Sequence, residues 1–96
     1  MNIEKLARID LNLLVCLKVL SEELNVTRAA SRLCLSQSAV SKNLAKLRTQ
    51  FDDPLCVRTS HGLTATPETL FLKPKLDRLI HQLDLLTQPE QFTPEN

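Results

Sequence analysis

The stretch NVTRAASRLCLSQSAVSKNLAKLRTQF, residues 25–51, decides the fold of this 96-residue chain. Asn25 or Thr27 can cap a short helix that runs to about Cys34, because Asn and Thr side chains accept hydrogen bonds from the free N–H groups of a first helical turn. Ser36 can cap a second, longer helix that runs to the end of the stretch. A short helix, a tight turn and a longer helix predict a helix-turn-helix.

The longer helix divides into two faces when successive residues are turned by about 100°. Its apolar stripe consists of Val40, Leu44, Leu47 and Phe51. The opposite side is small, polar and basic, and consists of Ser38, Ser41, Lys42, Ala45, Lys46 and Thr49. Because the helix contains no aspartate or glutamate up to residue 50, this side would not repel phosphate groups. An ordinary solvated surface is the alternative interpretation.

The start of the same helix has the chemistry to read DNA. Gln37 lies in the first turn, where a glutamine can both donate to and accept from the edge of an adenine. Serine hydroxyls such as those of Ser36 and Ser38 can reach base edges or phosphate oxygens. The free N–H groups of a helix N-terminus also attract phosphate.

The flanking segments predict a helix before this unit and a two-stranded hairpin after it. Apolar residues at steps of three and four, with Asp10 as N-cap, predict a helix to about Glu23. The sequence DDP should end the long helix, because a residue before proline is pushed out of the helical region. LCVRT (55–59) and LTAT (63–66) then predict two strands, and Gly62 lies at the turn, where a positive φ is expected. A hairpin in this position is a wing.

A fourth helix follows the wing, with Thr66 as N-cap and Pro67 in its first position. Pro74 lies within this helix and should bend its first turns. Five leucines at alternating steps of four and three predict a seam that pairs two subunits: Leu72, Leu76, Leu79, Leu83 and Leu86. Packing of these leucines in the core of the same chain is the alternative. The segment TQPEQFTPEN, residues 87–96, has the composition of a linker.

Charge and composition narrow the class of function. The net charge is only +1, but residues 27–61 hold six basic and two acidic side chains, so the positive charge is concentrated around the helix-turn-helix. Three cysteines without a CxxC pair, two histidines and a single glycine predict no metal site and no enzyme active site. No apolar run is long enough to cross a membrane and no signal peptide is evident, so a cytoplasmic protein associated with the nucleoid is expected.

Several motifs, in order and at fixed spacing, resemble the N-terminal DNA-binding domain of the LysR-type transcriptional regulators. The motifs are DLNLL, TRAA, SQSAVS followed by LR, FDDPL followed by VR, and TP after the wing. Two of them, DLNLL and FDDPL with its VR, are similar to the nodulation-regulator-like branch of the family. The resemblance implies a mainly α winged helix-turn-helix over residues 1–66 and a linker helix for dimerisation over residues 67–87. Residues 88–96 would be a hinge. The partner it implies is an inverted repeat in double-stranded DNA, bound by a homodimer that in the full-length protein can assemble further.

The resemblance also assigns residues. It implies that Gln37, Ser38, Ser41 and Lys42 enter the major groove, and that Arg58 and Thr59 of the wing approach the backbone or the adjoining minor groove. At phosphates it implies Thr27 and Arg28, with Lys46 and Arg48 as further phosphate contacts. Ser36 and His61 are further candidates for DNA contact.

The chain departs from the family pattern at two of these positions. Ser38 stands where the family commonly has proline, so a hydroxyl replaces an apolar contact with the bases. His61 stands in a wing that usually carries more arginine, and an exposed turn residue is the alternative for it.

The family also has a C-terminal effector-binding domain of periplasmic-binding-protein type. No cofactor is expected in this chain, because a small-molecule effector would bind that domain. A helical module whose basic face meets an acidic protein remains the rival to DNA binding.

Overall fold

The computed structural model describes residues 1–89, which form five helices and, after the fourth helix, a two-stranded hairpin. The elements are α1 (Ile3–Ala7), α2 (Leu11–Glu23), α3 (Val26–Leu33), α4 (Gln37–Phe51), β1 (Cys56–Thr59), β2 (Gly62–Ala65) and α5 (Pro67–Leu86). The prediction of a mainly α, winged helix-turn-helix with a long final helix is therefore confirmed.

The predicted helix boundaries are confirmed by the hydrogen bonds of the capping residues. Asp10 accepts from the Asn12 N–H at 2.9 Å. Ser36 accepts from the Ala39 N–H at 3.1 Å. Between the two residues proposed to cap α3, the structure selects Asn25, whose side chain accepts from the Arg28 N–H at 2.8 Å.

The N-terminal helix α1 was not predicted. It has only five residues, and none of them is buried. Its apolar residues Ile3 and Leu6 face solvent. A helix that buries no side chain leaves no periodic pattern of its own, and its N-cap bond from the Lys5 N–H to Asn2, at 3.0 Å, is its one local signal.

The core is formed where α2, α3, α4 and the start of α5 meet. Ala29 and Ala30 of α3 are buried, and their small side chains let α2 and α4 approach closely. The predicted stripe of α4 is confirmed, with Val40, Leu44 and Leu47 buried and Phe51 packed against them. Cys16 and Cys56 are buried thiols, and loss of hydration raises the pKa of both.

The hairpin is antiparallel, with Arg58 opposite Leu63 and Thr59 opposite Gly62. Both strands begin one residue from the predicted position. Gly62 has a φ of 112°, as expected for the turn, and a side chain is strained in that conformation. The wing is thus a short, tightly turned ribbon beside α4.

Helix α5 begins as predicted, with Thr66 as N-cap and Pro67 in the first turn, and it continues through Pro74 to Leu86. The proposed hinge, residues 88–96, lies mostly outside the described residues. Within residues 1–89, no helix has the length and apolarity that a membrane span requires. The division of the chain into domains stays a prediction.

Candidate nucleic-acid interface

The outer face of α4 is open to solvent along its whole length. We use the name outer face for six residues that are all exposed: Ser38, Ser41, Lys42, Ala45, Lys46 and Thr49. The opposite stripe holds α4 rigidly on the core, since Val40 and Leu47 have no exposed surface. A rigid helix with small outward side chains can enter a DNA major groove, which is wide enough for an α-helix.

At the N-terminus of α4 the polar groups are arranged by local hydrogen bonds. The Ser36 hydroxyl caps the helix and lies 3.1 Å from the hydroxyl of Ser38. Gln37, between them, is exposed in the first turn. Ser36 therefore has a structural role in addition to its predicted contact, whereas the Gln37 amide is free to point outward.

A groove joins the start of α3, the start of α4 and the wing. Its volume is about 260 Å³. It is lined by Leu24, Asn25, Val26, Thr27, Gln37, Ser41, Arg58, Gly62 and Leu63. Four of the predicted DNA-contacting residues, namely Thr27, Gln37, Ser41 and Arg58, therefore meet in one place, although they come from three separate segments.

Five of the groove residues were not assigned to the site from the sequence: Leu24, Asn25, Val26, Gly62 and Leu63. Asn25 is recognisable as a cap, and Leu63 lies opposite Arg58 in the hairpin register. The pairing register would have placed Leu63 beside the site, but a short hairpin with one glycine does not fix its register from sequence alone.

In the wing, Arg58 and His61 are exposed, whereas the hydroxyl of Thr59 is engaged in the turn. Thr59 Oγ1 donates to the Gly62 carbonyl at 3.0 Å and accepts from the His61 N–H at 3.3 Å. Thr59 therefore shapes the turn, whereas Arg58 forms no ion pair with any of residues 1–89. The predicted DNA contacts of Arg58, Thr59 and His61 stay predictions.

The predicted phosphate residue Arg28 is paired within the chain. Its Nε lies 3.3 Å from Glu23 Oε1, and its Nη2 donates to the Glu23 carbonyl at 3.4 Å. Its side chain is nevertheless 65% exposed, so the guanidinium can still be reached by a ligand. Its phosphate role stays a prediction.

Glu23 belongs to a larger ion-pair cluster on α2, α3 and α5: Lys18, Glu22, Glu23, Arg28, Arg32 and Asp77. Lys18 bonds Glu22 at 2.6 Å and Asp77 at 2.9 Å, and Arg32 bonds Glu22 at 2.8 Å. Hydrogen bonds from Lys18 and Arg32 lower the pKa of Glu22, and the bonds to Glu22 and Asp77 raise the pKa of Lys18. The Lys18–Asp77 pair links this cluster on α2 and α3 to α5.

Arg48 is also bonded within the chain, and its phosphate contact stays a prediction. It was predicted as a further phosphate contact, but its Nε donates to the Pro54 carbonyl and its Nη2 to the Cys56 carbonyl, both at 2.8 Å. Two of its donors are thereby held by the chain itself. The carbonyls follow Arg48 by six and eight residues, across a helix end and a turn, and no sequence pattern indicates that approach.

The five leucines proposed for dimerisation divide into two groups. Leu76 is buried in the core of its own chain, and Leu72 packs against that core. For these two residues the structure agrees with the alternative, a role within one subunit. Leu79 and Leu83 are partly buried and Leu86 is exposed, so the outer half of α5 keeps apolar surface that a second subunit can cover.

Nothing in residues 1–89 groups three or more histidine, cysteine, aspartate or glutamate side chains as a metal site would require. The groove and the outer face of α4 present hydroxyls, side-chain amides, cations and the N-termini of α3 and α4. These groups bind phosphates and base edges.

Comparisons with known proteins agree with this geometry. A family model described as "Bacterial regulatory helix-turn-helix protein, lysR family" matches residues 11–69. The HTH-type transcriptional regulator YidZ of Citrobacter koseri is 46% identical over 92 residues, which are 95% of this chain and 29% of that protein. YidZ of Salmonella newport is 47% identical over 92 residues, with the same coverage. The chain thus spans about 29% of the length of these relatives.

Two solved structures share the fold. The probable transcriptional regulator PA0477 from Pseudomonas aeruginosa has a TM-score of 0.83 and 33% identity, and the match covers 93% of this chain and 30% of that one. A BenM_DBD/catB site 1 DNA complex has a TM-score of 0.75 and 27% identity, and covers 81% of this chain and 88% of that one.

Proposed function

The chain belongs to the LysR family of bacterial helix-turn-helix regulators, as a DNA-binding domain of that family, and we propose that it binds an inverted-repeat operator in double-stranded DNA. In this proposal α4 enters the major groove, where Gln37, Ser38, Ser41 and Lys42 read bases. Arg58 of the wing, and Thr27 with Arg28 at the start of α3, hold phosphates on either side.

The observation that carries the proposal is the groove in which Thr27, Gln37, Ser41 and Arg58 meet beside an acid-free helix face. A base-reading amide and a phosphate-binding cation must be held a fixed distance apart, because the phosphate contacts set the register in which base edges are read. The similar BenM domain is in complex with DNA, which favours DNA over an acidic protein as the partner.

Selection of bound sequences from a random duplex library tests this function. We expect the selected pool to contain two half-sites related by two-fold symmetry, with centres about one helical turn or a multiple of it apart. We also expect the affinity for the selected duplex to fall steeply with salt, because bound counterions are released from the DNA. A pool without a recurring sequence, or equal affinity for an acidic protein surface and for DNA, would contradict the proposal.

Dimerisation is part of the proposal, and the outer half of α5 supports it. Leu79, Leu83 and Leu86 follow the heptad spacing beyond the part of α5 that the core covers. We expect Leu79→Gln together with Leu83→Gln to lower the dimer fraction in sedimentation. Leu76→Gln is the contrasting variant, since it should lower the melting temperature of the single chain instead. An unchanged mass for the double variant would show that the seam is misassigned.

We base the proposals for the cellular location and for the effector ligand on the same DNA-binding role. A regulator that binds operators works at the chromosome, so we propose a cytoplasmic, nucleoid-associated protein. A small-molecule effector, if it acts as in the family, would bind outside these 96 residues.

A further inference from the structure

A strained turn joins the recognition helix α4 to the wing. The Cys56 N–H donates to the Pro54 carbonyl at 2.6 Å, which closes a three-residue turn centred on Leu55. Leu55 has a φ of 64° and no exposed surface. Three-residue turns with a positive φ are rare and strained, and they persist only where surrounding contacts hold them.

Hydrogen bonds from Asp53 and from the start of α5 hold this turn in place. The Leu55 N–H donates to Asp53 Oδ2 at 2.8 Å. The Leu55 carbonyl accepts from the buried Thr69 hydroxyl at 2.7 Å and from the Thr66 N–H at 3.0 Å. Asp53 Oδ2 also accepts from the Thr66 hydroxyl at 2.7 Å. The start of α5 therefore fixes the middle of the turn.

Arg48 fixes the two ends of the turn. Its guanidinium reaches from α4 to the carbonyls of Pro54 and Cys56, which flank Leu55 on either side. Cys56 is the first residue of β1, and Arg58 follows it two residues later. The Arg48 fork thus connects the base-reading helix directly to the strand that carries the wing cation.

We propose that Arg48 is a positioning residue for DNA recognition, which acts by holding the wing at a fixed angle to α4 and not by contacting phosphate. The proposal rests on the proposed function, because Arg58 and Gln37 must reach one DNA site together. A planar fork with two donors can bridge two carbonyls at once, whereas a lysine ammonium at the end of a flexible chain is a single point charge. Arginine is therefore needed at this position for its shape.

A double-variant cycle on the 96-residue chain separates positioning from phosphate contact. The variants are Arg48→Lys, Arg58→Ala and the two combined, and the probe is a labelled duplex from the selected pool. If Arg48 positions the wing, Arg58→Ala lowers affinity about fivefold in the unsubstituted chain but less than about twofold in the Arg48→Lys background, because contacts that depend on each other are not additive. Arg48→Lys alone then lowers affinity about fivefold although the charge is kept.

If Arg48 instead contacts phosphate, the opposite result is expected from the same variants. Arg48→Lys would then bind nearly as well as the unsubstituted chain, and Arg58→Ala would lower affinity by the same factor in both backgrounds. That result would overturn the assignment. Lys46→Gln is the reference for a cation on α4 that contacts DNA directly. The affinity lost in Lys46→Gln should simply add to the affinity lost in Arg58→Ala.

Amide hydrogen exchange without DNA gives a second, independent readout. Arg48→Lys should speed exchange in β1 and β2 and leave the α4 amides unchanged, and equal exchange in the wing would overturn the proposal. A failure of the proposed function has a different signature: the unsubstituted chain would bind selected and random duplexes equally. Additive losses in a chain that does discriminate would overturn the role of Arg48 alone.

Discussion

Two surfaces of the chain carry basic side chains, and they differ in what those side chains contact. In the ion-pair cluster, Lys18, Arg28 and Arg32 each lie within 3.3 Å of a carboxylate. On the outer face of α4, Lys42 and Lys46 form no ion pair with any of residues 1–89, and no acidic residue occurs along the helix up to residue 50.

The difference shows why net charge alone is a weak guide to a binding surface. A cation that is already paired with a carboxylate has to weaken that pair when it binds phosphate, so its contribution to DNA affinity is reduced. Two of the six basic residues of segment 27–61, Arg28 and Arg32, are paired in this way. The positive charge that remains available is concentrated on α4 and the wing.

An acid placed on the outer face of α4 should weaken DNA binding more than any other single change proposed for these two surfaces. Ala45→Glu puts a carboxylate where α4 faces the DNA, and like charges brought together across an interface cost several kcal/mol, so we expect a loss of about 3 kcal/mol in binding. Measurement of the affinity for the selected duplex tests this. Ala45→Gln is the matched control, since it has nearly the same size without the charge and should cause a clearly smaller loss. Equal losses would indicate that bulk, and not charge, excludes the helix from the groove.

Gln37→Ala should affect the reading of bases by α4 without changing the charge of its outer face. We expect a loss of about 1–3 kcal/mol of discrimination at one base pair per half-site, because the amide can contact an adenine edge in two places. Repeating the selection with the variant should show relaxed preference at that position alone. A uniform loss across all positions would show that Gln37 does not read a base.

Arg58→Ala should instead weaken binding to every sequence alike. Each phosphate contact contributes about 0.9 to the slope of log affinity against log salt on B-form DNA, so the slope should fall by about that amount per subunit. A salt titration with selected and random duplexes measures both. The hypothesis fails if the variant changes sequence preference and leaves the slope intact.

The parts of the fold that could be predicted are those determined by neighbouring residues. The caps Asp10, Ser36 and Thr66 bond to N–H groups two or three residues ahead, and the stripe of α4 follows from helical spacing. The positive φ of Gly62 follows from its residue type. Such features depend on local geometry, which a sequence displays directly.

The parts that could not be predicted depend on contacts between distant elements. Lys18 and Asp77, which pair at 2.9 Å, are 59 residues apart. Heptad spacing is the same whether a leucine faces the core of its own chain or a second subunit. The sequence therefore does not distinguish burial of Leu76 in the core from pairing of two subunits. A positive φ at Leu55 contradicts the preference of a leucine, and only the surrounding hydrogen bonds explain it.

The smallest expected effect is on the ion-pair cluster. Glu22→Gln removes one of the two carboxylate partners of Lys18 and of Arg32. Pairs this exposed to solvent contribute only about 0.5 kcal/mol to the free energy of unfolding. The pKa of Glu22 is lowered in the folded chain, so its stabilisation is present above the pKa of the unfolded state and is lost as the pH falls through the folded value. The stability difference between the two proteins should therefore be largest near neutral pH and should shrink below about pH 4.

Thermal or denaturant unfolding from pH 3 to pH 7 measures this difference, and DNA affinity near neutral pH is the companion measurement. Because the cluster lies apart from the outer face of α4, Glu22→Gln should leave the affinity for the selected duplex unchanged. A gain in affinity would mean that the carboxylate of Glu22 weakens DNA binding in the native chain. The two basic surfaces would then be coupled, and the contrast between a structural cluster and a binding face would not hold.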